Sequence, residues 1–206
     1  VTNGGHRVAR EQSGDGPDAP RPARDRILDA GLTLFFRDGY ADVTVGDIAA
    51  AAETSRVTLY TQFGGKAGVL SKLREEFVEE AMATFAEFAV LPDTSEASLR
   101  GWIERLVELW ERDAALIRVV LANPVGETPE IEADRLERAV QIVTQNPDHW
   151  AAMTPSEARA RAFVLVVAQR QALTDWVSFS WSVDVDELVG TLTEMWHTTL
   201  QSARTR

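Results

Sequence analysis

The chain has no cysteine, which excludes a disulfide frame, a thiolate metal site and a cysteine nucleophile. Its three histidines, His6, His149 and His197, stand at no HExxH-type or paired-ligand spacing. There is no glycine-rich phosphate loop and no GxSxG elbow. Nothing in the sequence therefore calls for an enzyme, a metal or a cofactor. Long apolar runs are missing too. The longest, AFVLVVA at 162–168, falls far short of the roughly 20 residues that span a bilayer. No apolar signal-peptide core opens the sequence. These absences lead us to expect a cytoplasmic, non-membrane, non-enzymatic protein.

Basic residues are also scarce, 21 Lys+Arg against 32 Asp+Glu for a net charge of −11 over 206 residues. The imbalance is local. Residues 1–66 carry 8 basic and 9 acidic side chains, and residues 67–206 carry 13 and 23. The acid therefore sits almost wholly in the second part, and whole-chain charge governs solubility and steering rather than any one patch.

Periodicity shows helices throughout and no alternating strand pattern. Residues 1–22, rich in glycine, proline and charge, read as a flexible arm. Its arginines Arg7, Arg10 and Arg21 are either solvated or able to reach a phosphate. From Arg24, the stripe Ile27, Leu28, Gly31, Leu32, Leu34 and Phe35 predicts a helix that stops at Asp38-Gly39. Thr44-Val-Gly-Asp47 is a capping-box start. Ser55 caps a third helix that ends before Gly64-Gly65. A fourth runs from about Lys66 to Val90. Later boundaries fall at Pro92-Asp93-Thr94, Asn123-Pro124, Thr128-Pro129, Asn146-Pro147, Thr154-Pro155 and Asp184-x-x-Glu187. The expectation is an all-α chain of about nine helices.

The second and third helices are joined by Ala52-Glu53-Thr54, the plan of a helix-turn-helix, whose second helix enters the major groove. Leu59 and Phe63 would face inward, leaving Arg56, Thr58, Thr61 and Gln62 outward. Arginine and glutamine read base edges, and threonine meets phosphates or thymine methyls. Lys66 at the head of the fourth helix, and Thr44 at the head of the second, offer phosphate donors.

The stretch TVGDIAAAAETSRVTLYTQFGGKAGVL, 44–70, together with LFFRDGY, 34–40, resembles the DNA-binding signature of the TetR (tetracycline repressor) family. The resemblance covers roughly residues 24–70 and implies a dimeric transcription regulator, usually a repressor. After the arm (1–22), it implies a three-helix DNA-binding domain (23–66) and a ligand-binding and dimerisation domain (67–206). Carried over by motif position, contacts to double-stranded DNA fall to Thr44, Arg56, Val57, Thr58, Tyr60, Thr61, Gln62 and Lys66. Three positions depart from the family pattern. Glu53 stands where glycine is usual, Val57 replaces a small residue or proline, and Gln62 replaces histidine or tyrosine.

All six tryptophans lie between 102 and 196. Trp102, Trp110, Phe163, Trp176 and Phe179 are candidates to line a pocket for a small apolar or aromatic effector, or simply to fill a core. The apolar run at 162–168 and the broad face of the last helix suggest a homodimer interface through Phe163, Val166, Leu188, Leu192, Met195 and Trp196. The alternative reading is an all-helical interaction protein whose degraded helix-turn-helix no longer binds DNA.

Overall fold

The computed structural model describes residues 21–179 and 181–201. Most of the expected arm, residues 1–20, lies outside the described residues. Among those described, the chain forms nine α-helices and one 3₁₀ turn, with no strand. The helices are α1 (Ala23–Asp38), α2 (Val45–Ala51), α3 (Arg56–Phe63), α4 (Lys66–Ala89), α5 (Glu96–Arg112), α6 (Ala114–Ala122), α7 (Pro129–Val143), α8 (Pro155–Phe179) and α9 (Val185–Gln201).

Local chemistry sets most of these ends. Thr44 and Asp47 form a reciprocal capping box on α2, and Thr154 and Glu157 exchange the same pair of bonds ahead of α8. Each box satisfies two backbone donors that the first turn of a helix leaves open. Ser55 caps α3 through the Thr58 amide, and Thr128 caps α7 with Pro129 at its first position. Gly64 ends α3 in the left-handed region at φ 71°, where a side chain would add strain.

The chain divides into two compact units. The first runs through Phe77 and also takes in Arg112–Gly126; the second holds Val78–Glu111 and the chain from Glu127 onward. This differs from the expected boundary at 66/67 in two ways. Half of α4 belongs to the first unit, and so does α6. The reason is apolar: Leu116 and Val119 of α6 join Ile27, Leu28, Phe35, Ile48, Leu59 and Leu70 in one buried cluster.

Buried Arg74 fixes the return from α6. Its guanidinium donates to the carbonyls of Val125 at 2.7 Å and Asn123 at 3.1 Å. These oxygens follow the end of α6, where a helix leaves carbonyls without intrahelical partners.

The second unit is built round aromatics. Phe88 lies 5.1 Å from Trp102 and 5.0 Å from Trp196, measured between ring centres, and the two indoles meet edge-on at 4.8 Å. Both tryptophans are fully buried with their N–H groups satisfied. Trp102 donates to the Thr84 carbonyl, and Trp196 donates to Gln169 Oε1. Such pairing is what a buried indole requires.

Replacing Arg74 with Met removes both bonds, and with them the Arg74 donor to the part-buried Val125 carbonyl, while the Asn123 carbonyl keeps only the Val125 amide; it is expected to lower unfolding free energy by about 2 kcal/mol. Urea denaturation of the variant beside the wild type checks this.

Candidate nucleic-acid interface

The interface is built on α2 and α3. Leu59 of α3 is fully buried and Phe63 half-buried, which sets that helix's inner face. The opposite face is open: Val57 is 74% and Tyr60 56% exposed, with Thr61 and Gln62 beside them. Val57, Tyr60 and Thr61 follow i, i+3, i+4 spacing, so they share one stripe. The Thr61 hydroxyl donates to the Val57 carbonyl one turn back, which fixes its orientation and leaves its lone pairs outward. Thr58 is half-buried, its hydroxyl 2.8 Å from that of Ser55.

Thr44 is exposed and its hydroxyl is tied to Asp47, donating at 2.6 Å to the carboxylate and accepting the Asp47 amide. The Thr44 hydroxyl and amide hold the Asp47 carboxyl below the usual carboxylate range, with the positive charge of Arg56 adding to the effect.

The turn between α2 and α3 is a Schellman motif. The Thr54 amide bonds the Ala49 carbonyl, the Glu53 amide bonds Ala50, and Glu53 takes φ 50°. Glu53 thus occupies the left-handed position reserved for glycine in most such turns. Arg26 of α1 braces it, with Nε donating to the Ala52 carbonyl at 2.9 Å. That brace is non-local, and sequence reasoning missed it.

Lys66 stands at the head of α4, as expected, but its ammonium is turned onto the backbone. Its ammonium donates to the carbonyls of Tyr40, Ala41 and Val43 at 2.8, 3.0 and 2.9 Å. An ammonium has three N–H bonds, so all are taken and none remains for a phosphate. The charge also lies 4.6 Å from the centre of the Tyr40 ring, a cation–π contact. Burial pushes the Tyr40 phenol above its ordinary range. Lys66 therefore fastens the head of α4 to the α1–α2 turn. Gly68 permits the close approach of α3 to α4, because a Cβ there would fall 1.7 Å from the Phe63 carbonyl oxygen.

The two other candidate sets separate in the second unit. Trp102 and Trp110 are core residues, Trp176 is half-buried, and Phe163 and Phe179 are 48% and 68% exposed. A groove of about 580 Å³ between α7 and α8 includes Phe163 alone of them, with Leu136, Val140, Ala160 and Val164, and Arg159 and Glu137 paired beside it. Of the proposed dimer residues, Val166, Leu192 and Trp196 are 1%, 4% and 0% exposed within the protomer. They are occupied by its own core. Phe163, Leu188 and Met195 keep exposed surface.

Residues 27–73 match the family model described as bacterial regulatory proteins, tetR family. Over 164 residues the chain is 24% identical to the HTH-type transcriptional repressor SCO4008 of Streptomyces coelicolor, covering 76% of this chain and 79% of that protein. Its fold is similar to that of a TetR-family regulator from Syntrophomonas wolfei, at a TM-score of 0.67 and 19% identity, covering 86% and 94% of the two chains. It is also similar to the TetR family repressor AlkX of a Dietzia strain, implicated in n-alkane biodegradation, with a TM-score of 0.57, 25% identity and coverage of 87% and 97%.

Two substitutions separate the structural roles above from direct DNA contact. Lys66→Met removes three charge-assisted bonds and is expected to cost about 2 kcal/mol of stability; a phosphate ligand would instead leave the denaturation midpoint unchanged. Glu53→Gly relieves a left-handed non-glycine residue and is expected to add about 1 kcal/mol, read as a higher melting temperature.

Proposed function

We propose that the chain is a transcriptional regulator of the TetR family and acts as a homodimeric repressor on a palindromic operator, released by a small apolar or aromatic effector. The observation that carries the DNA-binding part is the open face of α3, where Val57, Tyr60 and Thr61 stand exposed on a helix whose other face is buried. An exposed valine on a helix that enters a major groove suits contact with a thymine methyl, and Thr61 and Gln62 supply hydrogen-bonding groups for base edges or phosphates. Thr44 and Thr58 serve the backbone.

Dimerisation supplies the second recognition helix. Two copies held about 34–36 Å apart meet successive major grooves of one duplex face. The exposed apolar surface of Phe163 and Val164 on α8, with Leu188 and Met195 on α9, is the face we assign to the partner copy. The effector reading rests on the apolar side chains in the lining of the α7–α8 groove, and it is in keeping with AlkX, which is implicated in biodegradation of n-alkanes, themselves apolar. Because α4 contributes residues to both units, displacement of its second half by a ligand would be carried along a continuous helix to its first. A ligand acts only through unequal affinity for the two states. Effector binding must therefore weaken operator binding by the same factor that operator weakens effector binding.

The test is selection of duplexes from a random-sequence pool with the purified full chain, then fluorescence anisotropy across a salt series. The expected outcome is a two-fold symmetric consensus, bound well above random DNA, with affinity falling steeply as salt rises. Absence of any enriched sequence, with no binding at low salt, would favour an interaction protein whose helix-turn-helix no longer engages DNA.

A further inference from the structure

Gly46 sits in the first turn of α2, two residues after its cap. Its backbone has no need of glycine, since the positive-φ glycines are Gly39, Gly64, Gly65 and Gly126. Glycine in a helix costs up to about 1 kcal/mol against alanine, so its presence asks for another cause. Space supplies one. A Cβ at Gly46 would lie 2.5 Å from the Arg56 terminal nitrogen Nη2, and 3.0 Å from both Cζ and Nε. The edge of the guanidinium that carries Nη2 and Nε therefore occupies the space a Cβ at Gly46 would fill. The neighbouring Asp47 carboxylate feels its charge.

We infer that Gly46 is a positioning residue for DNA recognition: by lacking a side chain it seats the Arg56 guanidinium against α2, making Arg56 a backbone-phosphate contact and not a reader of bases. This rests on the DNA-binding reading above. Arg56 precedes Val57 by one residue, about 100° round the helix, and so stands on the flank of α3 and not on its open stripe. In a helix-turn-helix the second helix enters the groove while the first crosses the sugar-phosphate backbone. A guanidinium docked on α2 travels with the helix that meets phosphates. Arginine's fork suits phosphate oxygens, and holding it in place beforehand reduces the rotamer entropy lost on binding.

This divides labour within α3. Arg56 supplies affinity without sequence information. Val57, Tyr60 and Thr61, on the open stripe, are left to discriminate bases. The family motif and the spacing of the sequence alone treat Arg56 as one more outward residue; only the close approach to Gly46 distinguishes it.

The test uses the full chain, a duplex selected by the wild type from a random pool, and a random duplex of equal length at low salt. Gly46→Ala displaces the guanidinium. It is expected to weaken both duplexes by the same factor, about tenfold, and to shallow the log–log salt slope by about one. Arg56→Ala should do the same, and Gly46→Ala should add little in its presence. Thermal stability of Gly46→Ala should not fall, since alanine favours the helix, so a merely structural glycine predicts the wrong sign. In the free protein, a nuclear Overhauser contact between the Gly46 Hα and Arg56 side-chain protons should vanish in the variant.

Loss of affinity for the selected duplex alone would overturn the inference in favour of base reading. Wild-type affinity and slope in Gly46→Ala would overturn it outright. So would absence of the Overhauser contact in the wild type, whatever the DNA result. Failure of the wild type to bind either duplex would instead remove the DNA-binding reading on which the inference stands.

Discussion

The three bonds from the Lys66 ammonium to the carbonyls of Tyr40, Ala41 and Val43 are the constraint on which the DNA-facing unit depends. Residues 40–43 are the turn that delivers the chain into α2, and Lys66 is the first residue of α4. The ammonium therefore closes a loop of chain that contains the whole α2–α3 pair. With the turn fixed, the α2 cap at Thr44 is fixed. With the head of α4 fixed, so is the exit of α3 through Gly64 and Gly65. The recognition helix is eight residues long, too short to be stable alone, and it is held by clamps at its two ends and by Leu59 between them.

Much of this was legible in the sequence because it is local. Caps, proline starts and glycine stops act over three or four residues, and each was visible as a short motif at Thr44, Ser55, Thr128 and Thr154. What escaped was non-local. The stop at Asn123-Pro124 is visible in the sequence, yet nothing in the residues of α6 says that it packs on α1. Its partition into the first unit follows from Leu116 and Val119 meeting Ile27 and Phe35 in space. The tryptophans mislead for the same reason. Indoles at helical spacing read alike whether they line a pocket or fill a core, and the fully buried Trp102 and Trp196 fill one.

The site was half legible. The family signature places Lys66 at the right position in sequence, but a motif records position and not partner. A lysine with three carbonyls within 3.0 Å and one awaiting a phosphate carry the same letter. Gly46 and Gly68 were invisible for the complementary reason: their meaning lies in atoms that are absent. Glu53 shows the opposite case. One residue type at one position departs from the family's usual glycine, and the φ of 50° is where the backbone of that motif has to go. Arg26, reaching in from α1, stabilises what the glutamate makes costly.

The acidic balance of the chain bears on how recognition must work. Residues 1–66 are nearly neutral by formal charge, while the rest carries the excess acid. A protein of this kind has little long-range attraction to draw it to a polyanion. Its affinity has to come from short contacts made after encounter: Thr44, Arg56, and the hydroxyls and amide of α3. At physiological ionic strength, where fields fade over about 8 Å, acid beyond that range is screened and these contacts decide the outcome. Lower salt strengthens the phosphate contacts but also unmasks the repulsion. The measured salt slope should therefore be shallower than the number of cations at the interface implies. With so few cations on the DNA-facing helices, each one must be well placed, which is why a glycine kept in a helix to seat one guanidinium is a reasonable use of about 1 kcal/mol of stability.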